Sequence, residues 1–375
     1  YEILTCDWSS DVCSSDLINF NLQVSITEAK DLIKTIGQEL TPIIVSEPGV
    51  GKSSILKMLE QEMGTDEYDF IYVDCPVKDM MDIAASIPNH QSKSLEYYVS
   101  SLFKLGNGKA KVIMLDEFMK APKLLQVIFT RLMLERTVGD EPLPVSESGK
   151  KSIVFGTSNN ASDGVGDSML AHAANRVCLA QMRKPTADEW NAWASSNGVA
   201  RPIRAWAAMN PKAFRSYLDP DQNDNEYIFK PSSTAKSFVS PRSLAKASPI
   251  VEKRHKYSEN ALTVALAGTV GESAAKSIAT FISVEHNMIK FTDVLADPMN
   301  VKVPEDIATQ VMMILEAVDT LSSHDDLNKY MQFVKRMKSS EIQSIFFTMM
   351  FRNKPKIARY NTEINNWATE NIGIM

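Results

Sequence analysis

The sequence predicts an α/β fold: an αβα sandwich on a parallel five-stranded sheet, continued by an all-helical C-terminal part. Three observations carry this expectation. From residue 19 to about residue 181, short β-branched runs alternate with longer helix-like stretches, the pattern of strands joined by crossover helices. Each run is continuously apolar rather than alternating, as in strands covered on both faces. Beyond about residue 185 strand signals fade, and six helix-length patterns follow.

The candidate strands are 41–46, 69–74, 111–116, 152–157 and 177–181. Helical periodicity falls between them at 53–63, 94–105, 122–134 and 168–174. The segment 137–147 holds Gly139, Asp140, Pro142 and Pro144 and reads as a hairpin or turn. The later helices are expected at 187–197, 202–218, 241–257, 258–284, 304–321 and 325–349, with a polar, Pro-bearing link at 219–240. These elements suggest a domain over 18–184, a helical lid over 185–290 and a helical extension over 291–375. No internal repeat is visible.

Apolar residues make up 44% and charged residues 23% of the 375, ordinary for a globular protein and enough for one large core and a smaller one. No apolar run reaches the roughly 18 residues a membrane helix needs. Residues 6–17 read CDWSSDVCSSDL and resemble a translated sequencing adapter, so residues 1–17 are expected to be an artefactual leader outside the fold. Without Glu2, Asp7, Asp11 and Asp16 the net charge of −6 becomes −2, and Cys75 and Cys178 remain of four cysteines. Two isolated cysteines without a C-x-x-C pair suit a reducing cytoplasm and exclude a disulfide framework or structural zinc site. The mild acidity offers no general field for nucleic acid.

The chemistry concentrates in SEPGVGKSS, residues 46–54, between an apolar strand and a helix. Gly49, Gly51, Lys52 and Ser53 have the spacing of a phosphate-cradling loop, with Ser46 where the first glycine of G-x-x-x-x-G-K-[ST] usually stands. The loop Glu47, Pro48, Gly49, Val50, Gly51, Lys52, Ser53 and Ser54 would wrap the nucleotide's phosphates, its backbone N–H groups curling around them with help from the helix N-terminus. Lys52 is placed for the terminal phosphates and the Ser53 hydroxyl for Mg²⁺. The second element is KVIMLDEF, residues 111–118. Its apolar run sets Asp116 at the carboxyl end of a buried strand, where open α/β sheets bind ligands. Asp116 would hold the metal ion, and Glu117 would polarise an attacking water.

Together with VFGTSNNASDG, LAHAANRV and FVSPRSL, these motifs resemble the MoxR-like branch of the AAA+ ATPases, in particular the stand-alone members of phages and bacteria. The resemblance implies ATP and Mg²⁺ as ligands, ATP hydrolysis, a cytoplasmic homo-oligomer in the form of a hexameric ring, and chaperone-like remodelling of a partner. It also implies a von Willebrand factor A domain protein as a partner. By the same resemblance Asn159 matches the residue that orients the lytic water, with Asn160 beside it where many relatives carry Pro. Arg176 matches a finger reaching the phosphates of a neighbouring subunit, and Arg242 a cation reaching back from the second domain.

Two other functions fit the same residues: a nucleotide-gated scaffold with little turnover, to which Ser46 and Asn160 would tilt, and a nucleic-acid motor or loader, against which the acidity speaks. The five histidines share no metal-ligand spacing, and Trp190, Trp193 and Trp206 are expected in the core. So are Met312, Met313, Met349 and Met350. The basic run from Lys253 to Lys256 reads as a solvated face.

Overall fold

The computed structural model describes residues 22–160 and 175–370; the leader and the expected helix 168–174 lie outside them. By contact density the chain divides into two units, Tyr1–Ser46 with Ile55–Met182, and Glu47–Ser54 with Arg183–Met375.

The first unit starts with α1 (Ile26–Ile36), whose Ser25 and Glu28 cap each other's backbone N–H groups in a capping box. The strands are β1 (Pro42–Ser46), β2 (Tyr68–Asp74), β5 (Ala110–Asp116), β8 (Ile153–Asn159) and β9 (Cys178–Gln181). All pair in parallel, in the order β2-β5-β8-β1-β9. This is the expected five-stranded α/β sheet. Strand β5 is buried at every residue, as its unbroken apolar run predicts. Even Lys111 is covered completely, its ammonium 2.7 Å from the Asp69 carboxylate. The helices α2 (Ser54–Met63) and α3 (Lys123–Glu135) cross between strands. A core around Ile43, Ile113, Phe118, Phe129 and Val154 fills the interior.

One expected helix is a hairpin. Residues 94–105 form strand β4 (Ser94–Val99), followed by single turns of 3-10 helix, and β4 pairs antiparallel with β3 (Ala84–Asn89). The turn explains the error. The side-chain Oδ1 of Asn89 accepts from the backbone N–H groups of Gln91 (2.9 Å) and Ser92 (3.2 Å), and Lys93 closes the turn at φ +52°. That local turn, with Tyr97, Tyr98 and Val99 favouring a pleated backbone, outweighs a weak helical periodicity. The expected turn at 137–147 is the two-residue ladder of β6 (Thr137–Val138) and β7 (Glu141–Pro142).

Past Arg183 the chain is helical: α4 (Ala187–Ser196), α5 (Arg201–Met209), α6 (Pro241–Glu252), α7 (Glu259–Val270), α8 (Glu272–Ser283), α9 (Phe291–Ala296), α10 (Ile307–Thr320), α11 (His324–Val334), α12 (Ser340–Asn353), α13 (Pro355–Ala358) and α14 (Thr362–Glu370). Two expected long helices are each a pair. Gly271, at φ +89° and close to the Ser237 carbonyl, divides 258–284; Ser339, capping α12, divides 325–349. The helix expected at 202–218 stops at Asn210, ahead of Pro211, and 241–257 is α6 plus a 3-10 turn. One hydrophobic core runs from Ala187 to Ile364 on both sides of residue 290, and includes the four methionines named above. Trp190 and Trp206 belong to it, but Trp193 is half exposed, stacked obliquely on Trp190. Among the described residues no helix is long and apolar enough to cross a membrane.

Candidate functional site

Strand β1 delivers the chain into the glycine-rich loop. Its last residue, Ser46, pairs with Asn159 at the end of β8, and Glu47 begins the loop. The loop bends where glycine allows it, with Gly49 at φ +77° and Gly51 at φ +112°, conformations a side chain at either position would strain. Val50 is buried, and Ser54 opens α2 with its hydroxyl donating 2.6 Å to the Gly51 carbonyl. Lys52 is 6% exposed and its ammonium donates to the Glu47 carbonyl at 3.0 Å, which arches the side chain over the loop.

Residues remote in sequence hold this loop. The buried Glu47 carboxylate lies 2.8 Å from the Lys184 ammonium, which also donates to the Arg215 carbonyl. The Gly49 carbonyl accepts from the backbone N–H of Arg242 at 3.1 Å. A Cβ on Gly49 would fall 2.6 Å from the Ser240 hydroxyl, so this glycine serves a close approach as well as a bend. Ser240 is the N-cap of α6 and exchanges hydrogen bonds with Ser243 across the first turn. Beside them a cavity of about 340 Å³ is lined by Pro48, Gly49, Arg242, Lys236 and Lys246. Three cations and a helix N-terminus around one cavity favour an anion there. Arg242 is exposed in the first helical turn, where it opposes the helix dipole unless an anion faces it.

On the sheet, Asp116 ends β5 and is 6% exposed. Its Oδ1 accepts from the Thr157 hydroxyl on β8, and its Oδ2 accepts from the Tyr72 hydroxyl on β2 at 2.7 Å. Burial, then the bond to Asp116, pushes the Tyr72 phenol above its ordinary range, so it stays a donor. Burial and the same carboxylate push the Cys75 thiol up, which makes it an inert core group. Glu117 turns off the strand at φ +51°, and its carboxylate lies 2.8 Å from the Lys120 ammonium one turn on. Asn159 is buried at the tip of β8. Asn160, the next residue, accepts from the Gln181 amide at 3.0 Å. Arg176 is exposed in a turn before β9.

Thus the carboxyl ends of three adjacent strands, β5, β8 and β1, carry Asp116, Asn159 and Ser46 along one edge of the sheet. Tyr72, Thr157, Lys184 and Ser240 escaped the sequence reading, because each meets its partner across strands or far along the chain; Lys120, one turn from Glu117, escaped it as an ordinary charged residue. Thr157, two residues before Asn159 on the same strand face, had the nearest thing to a signal.

The donor set suits Mg²⁺. Among the described residues no three His, Cys, Asp or Glu side chains gather as a metal cage. Mg²⁺ takes one or two carboxylates and completes its shell with water and phosphate oxygens. Asp116 is such a carboxylate, buried and oriented by two hydroxyls.

The chain matches no protein-family model and none of the curated proteins. Among solved structures it is similar to a candidate ATPase from Cytophaga hutchinsonii, at 14% identity over 91% of this chain and 87% of that one, with a TM-score of 0.31. It is also similar to NtrX from Brucella abortus, at 9% identity over 93% and 68% of the two chains, again with a TM-score of 0.31.

Proposed function

We propose that the protein binds ATP with Mg²⁺ at the loop Glu47–Ser54 and hydrolyses it, acting as an AAA+ ATPase of the MoxR-like kind. The observation that carries the reading is the loop itself: a buried parallel strand, two left-handed glycines, a covered lysine, and a helix opening at Ser54. That is a cradle of backbone N–H groups with one fixed cation, which suits a polyphosphate. The carboxylate pair at the tip of β5, two strands from β1, supplies what hydrolysis needs in addition.

In this reading Lys52 and the loop N–H groups hold the phosphate chain, and Ser53 and Asp116 are the ligands for Mg²⁺. The ion, when bound, neutralises charge on the phosphate oxygens. Glu117 accepts the proton of the attacking water, Asn159 orients that water, and Arg242 meets the terminal phosphate. Arg176, exposed before β9, completes the site of an adjacent copy, so the active form is a homo-oligomer, a hexameric ring. Phosphoryl transfer then depends on positioning and charge, without a covalent enzyme intermediate. We assign the work done to chaperone-like remodelling of a protein partner in the cytoplasm, with a von Willebrand factor A domain protein as the partner to test first.

The test compares steady-state phosphate release by the native chain, Lys52→Ala and Glu117→Gln. Lys52→Ala is expected to abolish ATP binding; Glu117→Gln is expected to bind ATP and turn it over at least about 100-fold more slowly. Equal rates for Glu117→Gln and the native chain would sink Glu117's role.

One observation favours a second reading, the nucleotide-gated scaffold. Glu117 is paired with Lys120, so the proposed base is engaged at rest. Tight ATP binding without phosphate release at any protein concentration would decide for the scaffold.

A further inference from the structure

We propose that Tyr72 is a positioning residue for the metal ligand Asp116, acting through its hydroxyl; the inference rests on the Mg²⁺–nucleotide reading above. Tyr72 lies on the edge strand β2, and 46% of it is exposed. Yet its single polar atom stands 2.7 Å from Oδ2 of a carboxylate that is almost wholly covered. The register explains the reach: Tyr72 pairs with Met114, two residues before Asp116, so both side chains leave the same face of the sheet.

The consequence follows from counting donors. The Thr157 hydroxyl donates to one carboxylate oxygen and the Tyr72 hydroxyl to the other. Two donors on opposite oxygens from two flanking strands fix the rotation of the carboxylate about its terminal torsion, which is otherwise broad. Tyr72 therefore sets the direction in which Asp116 presents its charge, and touches neither metal nor nucleotide itself. Outer partners of this kind are worth about 10–100-fold in metal affinity. With Thr157 still in place, the lower end applies.

The experiment titrates the full chain with a fluorescent N-methylanthraniloyl ATP in EDTA and at stepped Mg²⁺ concentrations. Tyr72→Phe keeps the ring and removes the hydroxyl. Its affinity in EDTA is expected to equal that of the native chain, while its half-saturating Mg²⁺ concentration rises about 10-fold. Tyr72→Leu, which also loses the ring, is expected to show the same Mg²⁺ shift with a lower thermal midpoint, separating the hydroxyl's task from strand stability. A Tyr72→Phe chain with the native Mg²⁺ half-saturation overturns the proposal alone. A native chain that binds no nucleotide overturns it together with the reading beneath it.

Discussion

Gly49→Ala is the sharpest perturbation the loop offers, because two separate penalties meet at one atom. The backbone there sits at φ +77°, and an L-residue in the left-handed region costs about 1–2 kcal/mol. The new Cβ would also fall 2.6 Å from the Ser240 hydroxyl and 2.9 Å from the Ser240 Cβ, closer than such atoms approach. Relief requires Ser240 to move. As it caps α6, the move forfeits a cap worth about 1 kcal/mol. The sum is about 2–3 kcal/mol, and a double-mutant cycle separates its parts. Ser240→Gly removes both clashing atoms, and glycine at an N-cap costs only a few tenths of a kcal/mol relative to serine. In that background Gly49→Ala should cost about 1–2 kcal/mol, the backbone share alone, giving a coupling of about 1 kcal/mol. The assay is urea unfolding followed by tryptophan fluorescence. Trp190, Trp193, Trp206 and Trp367 all belong to the unit that contains the loop, so the signal reports on it. Equal costs of Gly49→Ala in both backgrounds would refute the close approach between loop and helix.

Lys184→Met removes the cation from the buried Glu47 carboxylate and should cost about 3–5 kcal/mol in thermal or urea unfolding, with Glu47→Gln added in the same chain recovering most of the loss. The Lys120–Glu117 pair is partly solvated, so its strength is about 0–1 kcal/mol; Lys120→Ala is expected to raise basal phosphate release up to about fivefold, and a fall in rate would mean that Lys120 holds Glu117 in its working position. Hydrogen bonds from Lys30, then Lys34, pull the Glu62 carboxyl from its ordinary 4.5 down to about 2. A depressed carboxyl stabilises the fold fully above the unfolded value and loses that contribution as pH falls through the folded one. Circular dichroism should accordingly show Glu62→Gln unfolding at a higher pH than the native chain in the window between 4.5 and about 2. Identical acid midpoints would remove the pair from the ledger.

Most of the sheet was legible because its signal is local. Buried parallel strands are continuous apolar runs, and residues 111–116 announce one with no polar interruption after Lys111. The loop was legible for a similar reason: glycines, lysine and serine must be neighbours in sequence to curl one turn of backbone. The hairpin at 84–99 was not, since its decision lies in the Asn89 turn and in cross-strand pairing, which a window of helical periodicity does not sample. The helical part was read in the right class with the wrong breaks. Gly271 ends α7 through its backbone and its neighbour Ser237, and Ser339 starts a new helix with a cap, signals smaller than the periodicity that runs across them.

The outer partners of the candidate site were illegible for a deeper reason. Motif spacing records what one short segment does; it is silent about which distant residues hold that segment still. Glu47 is fixed by Lys184, the Gly49 carbonyl by the α6 backbone, and Asp116 by hydroxyls from strands on either side. For Glu47 and for one oxygen of Asp116 the motif residue supplies the polar group, and a residue outside every motif, Lys184 or Tyr72, supplies its direction. The loop is thereby one body with the start of α6: a carbonyl, a capping serine and the first-turn Arg242 meet at Gly49, where no side chain fits. An anion drawn to the cavity beside Pro48 and Gly49 would feel Arg242, Lys236 and Lys246 at once, and would relieve the unfavourable placement of Arg242 at a helix N-terminus. Occupancy of the loop and the position of α6 are in that way coupled by contacts already made.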